Sequence, residues 1–387
     1  MALAQSAFRH NTLDSIKLAV RLAPGNAAYH ALLAEHLESF GNSPEGELTA
    51  AVALSPFDAS YLNRLGFWAE VVQNYPAAEK ALLHAAQVDR GFKPRWALMN
   101  YYFRRGNGDQ FWRWTGESLR RSYGDLTPIF RLCWAQTTDA AFIEHQLPDD
   151  PDFRLRYLEF LNAEEPPAAA QRIAPVVAAE MNPGDNPDTV VTYCNRVIGQ
   201  NTASALAVWN TLCARKVLPY PALKPASGDV VTNGSFQWPA LAKGFDWRVH
   251  HFDGLRSSSE PGTGLTLTFD GSQPEIFDVL EQPIPLERFH RYEMSVEYQL
   301  RPGGESSGLR WHLDLPDSSV LAEAAVLGGT GTQEQKLTFY SGGADLAFLH
   351  LTFRRTSGTV RWSGTATIHR VAIKAAPGLP ITENNLK

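Results

Sequence analysis

The hydrophobic periodicity of this chain changes near Ala226, and that change constrains its fold more than any other feature. Before it, apolar residues recur in paired helical patterns with almost no strand signal. After it, apolar and polar residues alternate in short runs separated by glycine-rich turns. A helix repeats every 3.6 residues and a strand every two, so one segment cannot satisfy both periods. The sequence therefore predicts an α-helical repeat domain followed by a β-sandwich.

The composition is typical of a globular protein with two domains of ordinary size. The 387 residues are 44% hydrophobic and 20% charged, with a formal net charge of −6. Neither half carries the basic patch that binding to a phosphate backbone requires, so we expect no nucleic acid partner. The three cysteines all fall in the helical half, and their odd number argues against a disulfide framework.

The N-terminal segment lacks the basic start and the continuous apolar run of a signal peptide. No later stretch reaches the ~18 to 20 consecutive apolar residues that a transmembrane helix needs. We therefore expect the sequence as given to be soluble and untargeted. Because Met1 opens directly on what looks like half a repeat, a missing upstream export or anchor segment is a further hypothesis, and it would imply a periplasmic or envelope-associated location.

Three segments of the helical half end alike, at intervals close to one repeat length. They read AVRLAPGN, AVALSPFD and HAAQVDRGF, and their equivalent positions Pro24, Pro56 and Arg90 lie 32 and 34 residues apart. A proline at such a position closes one helix and starts the next unit. The spacing therefore indicates a helical repeat of constant length.

The unit from 59 to 92 carries the most complete repeat pattern. Leu65 and Gly66 fall on its first predicted helix, and Ala78 and Ala85 fall on its second, where small side chains let two helices approach closely. Together with the terminal prolines, this pattern resembles the tetratricopeptide repeat family. The resemblance implies an α-solenoid of helix pairs, which we extend over residues 1–220 with degenerate later repeats.

The resemblance also implies a concave surface built from the first helix of each repeat. In tetratricopeptide repeats this surface mostly binds other proteins, so we expect a protein partner at the concave face. The side chains that would contribute to it here are Asn63, Phe67, Tyr101 and Arg104. For any one of them, the alternative is an ordinary packing or solvent-facing position.

Beyond a linker at 221–228, regular alternation predicts a series of strands. Leu265, Leu267 and Phe269 alternate with threonines, and the same pattern continues through 292–300 and 309–315. Such alternation places one face of a strand on a core and the other in water. We therefore predict a two-sheet antiparallel sandwich over 229–376, followed by a flexible tail at 377–387.

The first residues of this half carry a more specific pattern, the motif NGSF at 233–236 followed by the segment GFDW at 244–247. This pattern resembles the start of jelly-roll carbohydrate-binding modules of the galactose-binding-like class. The resemblance implies a jelly roll that holds an oligosaccharide or polysaccharide. Gln237 and His369 stand where the family often has acidic ligands of a structural calcium ion, so we predict no bound calcium there.

A sugar site needs an exposed aromatic face beside hydrogen-bonding groups. Trp238 and Trp247 lie near predicted loops and are the expected exposed rings, although Trp247 shares the parity of Phe245 and could pack inside. Trp311 and Trp362 share the parity of core residues. The polar candidates on the opposite strand face are Glu297, Gln299, Arg310, His312, His350 and Arg361. The alternative is that this face is only the solvated side of a sheet.

The common sequence signatures of catalysis are absent. The chain has no phosphate-binding loop, no His-Glu-x-x-His helix and no Gly-x-Ser-x-Gly elbow. His250 and His251 would point to opposite faces of a strand, so we predict that they form no metal site with Asp253. We also predict no cofactor, since no cofactor-binding motif is present. A glycosidase would need two converging carboxylates. The acidic residues available in the sandwich include Glu293, Glu297 and Asp314.

These patterns together indicate a non-enzymatic adaptor with two domains. The solenoid would dock a protein partner, and the jelly roll would hold a glycan. By analogy with other pairings of such domains, the expected setting is polysaccharide assembly or export at a bacterial envelope. The first alternative is a purely structural scaffold that binds no sugar, and the second is a glycan-processing enzyme.

Overall fold

The computed structural model describes residues 2–302, 307–329, 331–355 and 357–376. The tail predicted at 377–387 therefore lies outside the described residues. α-Helices occupy the chain up to Ala214 and strands occupy it from Arg248 onward, so the predicted order of a helical solenoid and an antiparallel sandwich is confirmed. The chain divides into two compact units, Met1–Phe153 and Arg154–Lys387.

The first unit is built from helices that each contact the next helix along the chain, as expected of a solenoid. They are α1 (Ala2–His10), α2 (Leu13–Leu22), α3 (Ala27–Ser39), α4 (Glu45–Leu54), α5 (Ala59–Val71), α6 (Tyr75–Val88), α7 (Phe92–Arg104), α8 (Gly108–Leu119), α9 (Thr127–Gln136) and α10 (Ala140–Gln146). Asn26, Asp58 and Asn74 precede three of them, and each side chain accepts a hydrogen bond from a backbone amide of the first turn. These caps explain where the helices begin.

The glycine of the Leu-Gly pattern lies at the crossing of α5 and α6. A Cβ atom added to Gly66 would lie 2.7 Å from Cγ of Leu82 and 3.3 Å from the carbonyl oxygen of Ala78. No side chain therefore fits at this position without a shift of its neighbours. Close approach of the two helices is the physical reason for the small residues from which the repeat was predicted.

The second unit begins with helices that continue the helical part of the chain. They are α11 (Pro151–Glu164), whose first residues belong to the first unit, α12 (Ile173–Glu180), α13 (Asp188–Val197) and α14 (Thr202–Ala214). Asn201 caps α14 by accepting a hydrogen bond from the amide of Ser204. Among the described residues, no helix combines the length and the apolar character needed to cross a membrane.

The strands of the described chain form two antiparallel five-stranded sheets. They are β1 (Arg248–Val249), β2 (Leu255–Glu260), β3 (Gly264–Asp270), β4 (Ile276–Pro285), β5 (Arg291–Arg301), β6 (Leu309–Asp314), β7 (Val320–Ala325), β8 (Gln333–Tyr340), β9 (Leu346–Arg354) and β10 (Ser363–Ala375). The order β1-β4-β9-β6-β7 defines the front sheet, and the order β2-β3-β10-β5-β8 defines the back sheet.

The core of the sandwich lies between the two sheets and is formed by the apolar members of each alternating strand. Leu265, Leu267 and Phe269 are buried in it, as their parity predicted. Trp311 is also buried there, and Trp362 packs against it while remaining partly exposed. The polar members of the same strands form the two outer faces of the sandwich, where a ligand can reach them.

The last helices of the second unit pack against the first loop of the sandwich. The ring of Trp209 on α14 lies 5.8 Å from the ring of Phe245, and Arg248 of β1 donates a hydrogen bond of 2.6 Å to Asn195 on α13. Gly244 has a φ of +59° and approaches Trp209 so closely that a Cβ atom would lie 2.6 Å from its ring. Only glycine fits both conditions without strain. Side chains of α13 and α14 therefore contact β1 and the loop before it.

The linker predicted at 221–228 lies along the last helix. The side chain of Asn210 on α14 bonds both the amide and the carbonyl of Leu223, at 2.8 and 2.9 Å. Leu223 is buried, and Lys224 forms an isolated bridge with Asp229. The predicted division into domains at this linker stays a prediction, because the compact units divide the chain within α11.

Candidate functional site

A groove in the first unit, with a volume of about 930 Å³, contains two of the four residues predicted to bind a protein. Asn63 and Phe67 lie in its wall, next to the half-buried ring of Trp96 and the exposed ring of Phe57. Exposed aromatic surface of this kind, bordered by polar side chains, is typical of an interaction surface. The groove therefore offers both apolar area and hydrogen-bonding groups to a partner.

The amide oxygen of Asn63 is the polar atom of this groove that most needs a partner. It is buried and has no hydrogen-bond donor among the described residues. The neighbouring Arg64 does not supply one, because it bonds the carbonyl of Ala31 at 2.8 Å and pairs with Glu38 at 3.3 Å. Buried acceptors are normally hydrogen-bonded. An N–H group entering the groove would satisfy this one.

The other two predicted protein-binding residues lie elsewhere on α7. Tyr101 is buried and donates a hydrogen bond of 3.1 Å to the carbonyl of Tyr75, so its expected place on the binding surface is wrong. Its position on the buried face of α7 directs the ring into the packing between helices. Arg104 makes two hydrogen bonds to the carboxylate of Glu70, at 2.8 and 2.6 Å, so its charge is already compensated.

The two tryptophans predicted to be exposed on the sandwich do not form an open platform. Trp247 is fully buried between Phe236 and Trp311, with ring centroids 5.2 and 6.4 Å away, so its expected exposure is wrong. Trp238 is half-buried, and Tyr220 packs edge-on against its ring at 5.5 Å. The loop between the helices and β1 folds inward and carries the indole of Trp247 into the core.

The predicted polar candidates of the sandwich lie on different sheets, so the single polar face inferred from strand parity is wrong. Glu297 and Gln299 lie on β5 of the back sheet. Arg310, His312 and His350 lie on β6 and β9 of the front sheet. Arg361 lies before β10 and pairs with Glu275 at 3.7 Å. Strand parity fixes the face of each strand, but the chain crosses from one sheet to the other between β5 and β6.

One row of side chains crosses the outer face of the front sheet, with one residue from each strand. The residues of this central row, in order across the sheet, are Arg248, Glu281, His350, His312 and Glu323. At its middle, the imidazole rings of His350 and His312 stack with centroids 4.9 Å apart and planes at 11°. The row therefore places hydrogen-bonding and ionisable groups side by side on one continuous surface.

The middle of the central row is half-buried although it faces outward. The side chains of His312 and Asp314 are each 19% exposed and that of His350 is 14% exposed. Nδ1 of His312 lies 2.9 Å from Oδ2 of Asp314. By contrast, Nδ1 of His350 and Oδ1 of Asp314 are buried without a hydrogen-bond partner among the described residues. Such groups need a partner from outside the described residues, such as a water molecule or a ligand.

Electrostatic surroundings decide the ionisation of this face. Burial, and next the neighbouring His312, lower the pKa of His350, so we expect its ring to be neutral near pH 7. A hydrogen bond from Arg310, at 2.9 Å, lowers the pKa of Glu323. Arg248 lies 3.8 Å from Glu281 at the other end of the row. Arg310 and Glu323, and Arg248 and Glu281, therefore pair their charges with one another.

Two further groups bear on what this face can do. Phe348 of β9 is half-buried next to His350, with ring centroids 6.4 Å apart, and supplies an aromatic surface. Asp278 of β4 lies near both imidazoles, and one ligand atom each from Asp278, His312 and His350 fall within 4.8 Å of one another. The sequence analysis did not select Phe348 or Asp278, because neither belongs to a recognisable local motif.

The carboxylates considered for glycoside hydrolysis do not meet. Glu293 and Glu297 lie on β5 of the back sheet, whereas Asp314 lies on β6 of the front sheet. Glu293 is paired with Lys336 at 3.2 Å. A glycosidase needs two carboxyl groups within about 5 to 10 Å on either side of one bond. These three residues therefore do not form such a site.

Comparisons with known proteins find likeness in solved structures only. No protein-family model matches the chain, and no curated protein matches it. The match to a CBM4 carbohydrate-binding module covers 38% of this chain and 99% of the module, with 14% sequence identity and a TM-score of 0.30. The match to the CBM22-1 xylan-binding domain of Paenibacillus barcinonensis Xyn10C covers 39% of this chain and 97% of that domain, with 12% sequence identity and a TM-score of 0.27. The match to Pseudomonas aeruginosa PilF covers 55% of this chain and 87% of PilF, with 18% sequence identity and a TM-score of 0.28. These likenesses concern the fold alone.

Proposed function

We propose that this chain is a non-enzymatic binding protein that holds a glycan on the outer face of the front sheet and a peptide segment of a protein partner in the groove of the first unit. The observation that carries the glycan part is the half-buried middle of the central row. There, Nδ1 of His350 and Oδ1 of Asp314 have no hydrogen-bond partner among the described residues. Sugar hydroxyls both donate and accept, so they suit such a mixed set.

The chemistry of the face favours a neutral glycan. Arg310 is paired with Glu323, and Arg248 lies near Glu281, so neither guanidinium is left to attract an anionic sugar. Donors and acceptors lie together in the row, and the ring of Phe348 offers an apolar surface to the C–H face of a sugar. A neutral oligosaccharide lying along the row would meet all of these groups.

The outer face of the back sheet lacks these features and provides the contrast. Glu297 opposes Glu334 across β5 and β8, so two like charges face each other. Gln299 already accepts a hydrogen bond of 3.0 Å from Arg301. Glu297 is exposed to solvent. We therefore assign Glu297 and Gln299 to the solvated side of the sandwich, which makes them suitable controls.

A glycan array probed with the full chain tests this proposal. Arg310 lies on β6 two residues from His312, and its pairing with Glu323 uses Nη1, so other N–H groups of its guanidinium remain to donate to a sugar hydroxyl. We expect binding to neutral oligosaccharides that weakens by about tenfold or more in Arg310→Ala, since a hydrogen bond to a charged group contributes about 1.5 to 3 kcal/mol. The ion pair of Arg310 is exposed, so its loss costs little stability. Gln299→Ala is the matched control on the other sheet. Silence of the parent on all neutral glycans, or loss of binding in Gln299→Ala, would reject the assignment.

The protein-binding part rests on the groove of the first unit. A peptide whose apolar side chain lies against Phe67 and Phe57, and whose backbone N–H reaches the amide oxygen of Asn63, would satisfy both features of the groove. Backbone N–H groups are present in every peptide, so Asn63 contributes affinity and Phe67 contributes selectivity for apolar side chains. Such a division is usual where extended peptides bind.

Selection from a displayed peptide library tests the groove. We expect the full chain to select peptides with a shared apolar position, and Phe67→Ala and Asn63→Ala each to weaken the binding of a selected peptide. Tyr123→Ala is the control, because Tyr123 is 89% exposed and lies outside the groove. Peptides that bind Phe67→Ala as well as the parent would show that the partner docks elsewhere.

The scaffold alternative has one observation in its favour. Trp209, Tyr220 and Phe245 bury their rings against one another, so the sandwich already uses part of its surface for contact with the last helices. That contact involves Arg248 of β1 and Phe245 of the loop before it. A parent that folds stably and binds no glycan would favour the scaffold. Polysaccharide assembly or export at a bacterial envelope is the setting that we propose for a chain that binds both ligands.

A further inference from the structure

We propose that the front sheet also carries a binding site for one divalent transition metal ion, formed by Asp278 of β4, His350 of β9 and His312 of β6. One ligand atom from each residue lies within 4.8 Å of the other two. The three strands are consecutive in the sheet, so backbone hydrogen bonds between them fix the positions of all three residues. The arrangement is therefore held by the sheet rather than by a loop.

The donor set determines the class of metal. Two imidazole nitrogens and one carboxylate oxygen suit Zn²⁺, Co²⁺ or Ni²⁺, whereas Ca²⁺ and Mg²⁺ prefer sets made of oxygen alone. Bonds of about 2.0 to 2.1 Å in a tetrahedral site place ligand atoms roughly 3.3 Å apart. Nδ1 of His350 is 3.9 Å from Oδ2 of Asp278, whose side chain is 48% exposed and has room to rotate. Closing the site also requires the two imidazoles to turn from their stacked arrangement, because their lone pairs lie in ring planes that are only 11° from parallel.

A carboxylate outside the three ligands orients one of them. Oδ2 of Asp314 lies 2.9 Å from Nδ1 of His312, at the distance of a hydrogen bond. When Nδ1–H donates to Asp314, the other ring nitrogen of His312 keeps its lone pair. A carboxylate behind a histidine is the usual support of a metal-binding imidazole, because it fixes both the tautomer and the orientation of the ring.

The second imidazole lacks such a partner and gains one from a metal ion. Nδ1 of His350 is buried and has no hydrogen-bond partner among the described residues, which is costly in a folded chain. A metal ion bound to this nitrogen and to Asp278 would satisfy it, and a glycan would then contact the open position of the metal instead of Nδ1.

Three protein ligands leave a fourth position for water or for an oxygen atom of another molecule. This position belongs to the outer face of the front sheet, where we place the glycan. The metal proposal does not rest on glycan binding, because metal titration of the chain alone tests it. Metal binding without glycan binding would reject only the glycan part of the proposed function. Glycan binding without stoichiometric metal binding would reject only the metal site.

Titration of the untagged full chain, freed of metal with a chelator, tests the site. We expect one Co²⁺ or Zn²⁺ ion per chain, with visible absorption of Co²⁺ typical of tetrahedral coordination. Asp278→Asn and His350→Ala should each weaken the affinity by about a hundredfold or more. Asp314→Asn should weaken it by about 10- to 100-fold, the usual effect of removing an orienting partner. His369→Ala, on the back sheet, should leave the affinity unchanged.

Folding of each variant is checked by circular dichroism and thermal unfolding without metal. If His350→Ala fails to fold, Asp278→Asn still tests the site. This variant replaces one carboxylate oxygen of a half-exposed side chain with an amide nitrogen and leaves the fold intact. Absence of stoichiometric binding at micromolar Zn²⁺ would overturn the proposal. Binding that persists in Asp278→Asn and is lost in His369→Ala would place the metal elsewhere and would overturn it too. In either case the stacked imidazoles are an ordinary cross-strand pair.

Discussion

The hydroxyl of Tyr220 donates a hydrogen bond of 2.9 Å to Oδ2 of Asp246, which joins the segment after the last helix to the first loop of the sandwich. The same oxygen accepts a hydrogen bond of 2.7 Å from the amide of Leu241. Tyr220 and Asp246 are both buried, and the ring of Tyr220 stacks on Trp209 of α14. The segment after α14 and the loop before β1 are therefore joined by a buried hydrogen bond and by ring packing.

Removal of this hydroxyl should destabilise the second unit. In Tyr220→Phe the ring packing remains, but the buried carboxylate loses a donor. We expect the free energy of unfolding to fall by about 1 to 3 kcal/mol. Urea denaturation measures the change, with Tyr123→Phe as a control at an exposed tyrosine. An equal midpoint for Tyr220→Phe and the parent would show that water replaces the hydroxyl at no cost.

The same carboxylate should give a specific dependence of stability on pH. Burial raises the pKa of Asp246 in the folded chain above its unfolded value. Its contribution to stability is therefore fully present below the unfolded pKa, near 3.9, and is lost as the pH rises through the folded pKa. Relative to the parent, Asp246→Asn should become steadily less destabilised as the pH is raised.

Asp229 provides the comparison of opposite sign. A hydrogen bond from Lys374 lowers the pKa of Asp229, so its contribution is present above the unfolded pKa and is lost as the pH falls. Relative to the parent, Asp229→Asn should become more destabilised as the pH is raised. Urea denaturation of both variants between pH 3 and 7 measures the two slopes. Slopes of the same sign would contradict the environments that we assign to these carboxylates.

Trp247 should behave as a core residue and not as part of a sugar site. Its ring is fully buried against Phe236 and Trp311. We expect Trp247→Ala to lower the free energy of unfolding by about 3 to 5 kcal/mol. Trp238→Ala, at a half-buried ring, should cost clearly less. Thermal unfolding compares the two, and a stable, fully folded Trp247→Ala would place the indole outside the core.

Gly66 should not tolerate a methyl group, although alanine favours helices. A Cβ atom would lie 2.7 Å from Cγ of Leu82 and close to a backbone oxygen of α6, so the helices must separate. Overpacking costs about 1 to 3 kcal/mol, and contact with a backbone oxygen, which cannot rotate away, places this site toward the upper end, above the gain of about 1 kcal/mol in helix propensity. Gly46→Ala in α4 is the control, because a Cβ there meets no atom within 4 Å. We expect Gly66→Ala to destabilise and Gly46→Ala to stabilise, and the reverse order in thermal unfolding would contradict the close crossing.

The sequence predicted the fold well because its signals are local. Alternation from Leu265 to Phe269 and through β5 fixes which side chains face a core, whatever the partner strands are. The small residues around Gly66 likewise report a close helix crossing directly. Periods of two and 3.6 residues are properties of a single element, so a single sequence is enough to recognise them.

The candidate site was predicted only in part, because it depends on pairing between strands. Parity placed His312 and His350 on an outer face, but it gave no means of separating them from Glu297 on the other sheet. Asp278 joins the two histidines only through the register of β4, β9 and β6. The burial of Tyr101 and Trp247 follows from contacts with distant residues, which no local pattern contains.

Calorimetric titration of the full chain with the neutral oligosaccharide that gives the strongest array signal tests most directly whether the front sheet binds a glycan. Arg310→Ala and Gln299→Ala are titrated beside the parent. We predict saturable binding by the parent and by Gln299→Ala, with about tenfold or greater loss of affinity in Arg310→Ala. Equal affinity of all three proteins, or loss in Gln299→Ala alone, would contradict a glycan site on the outer face of the front sheet.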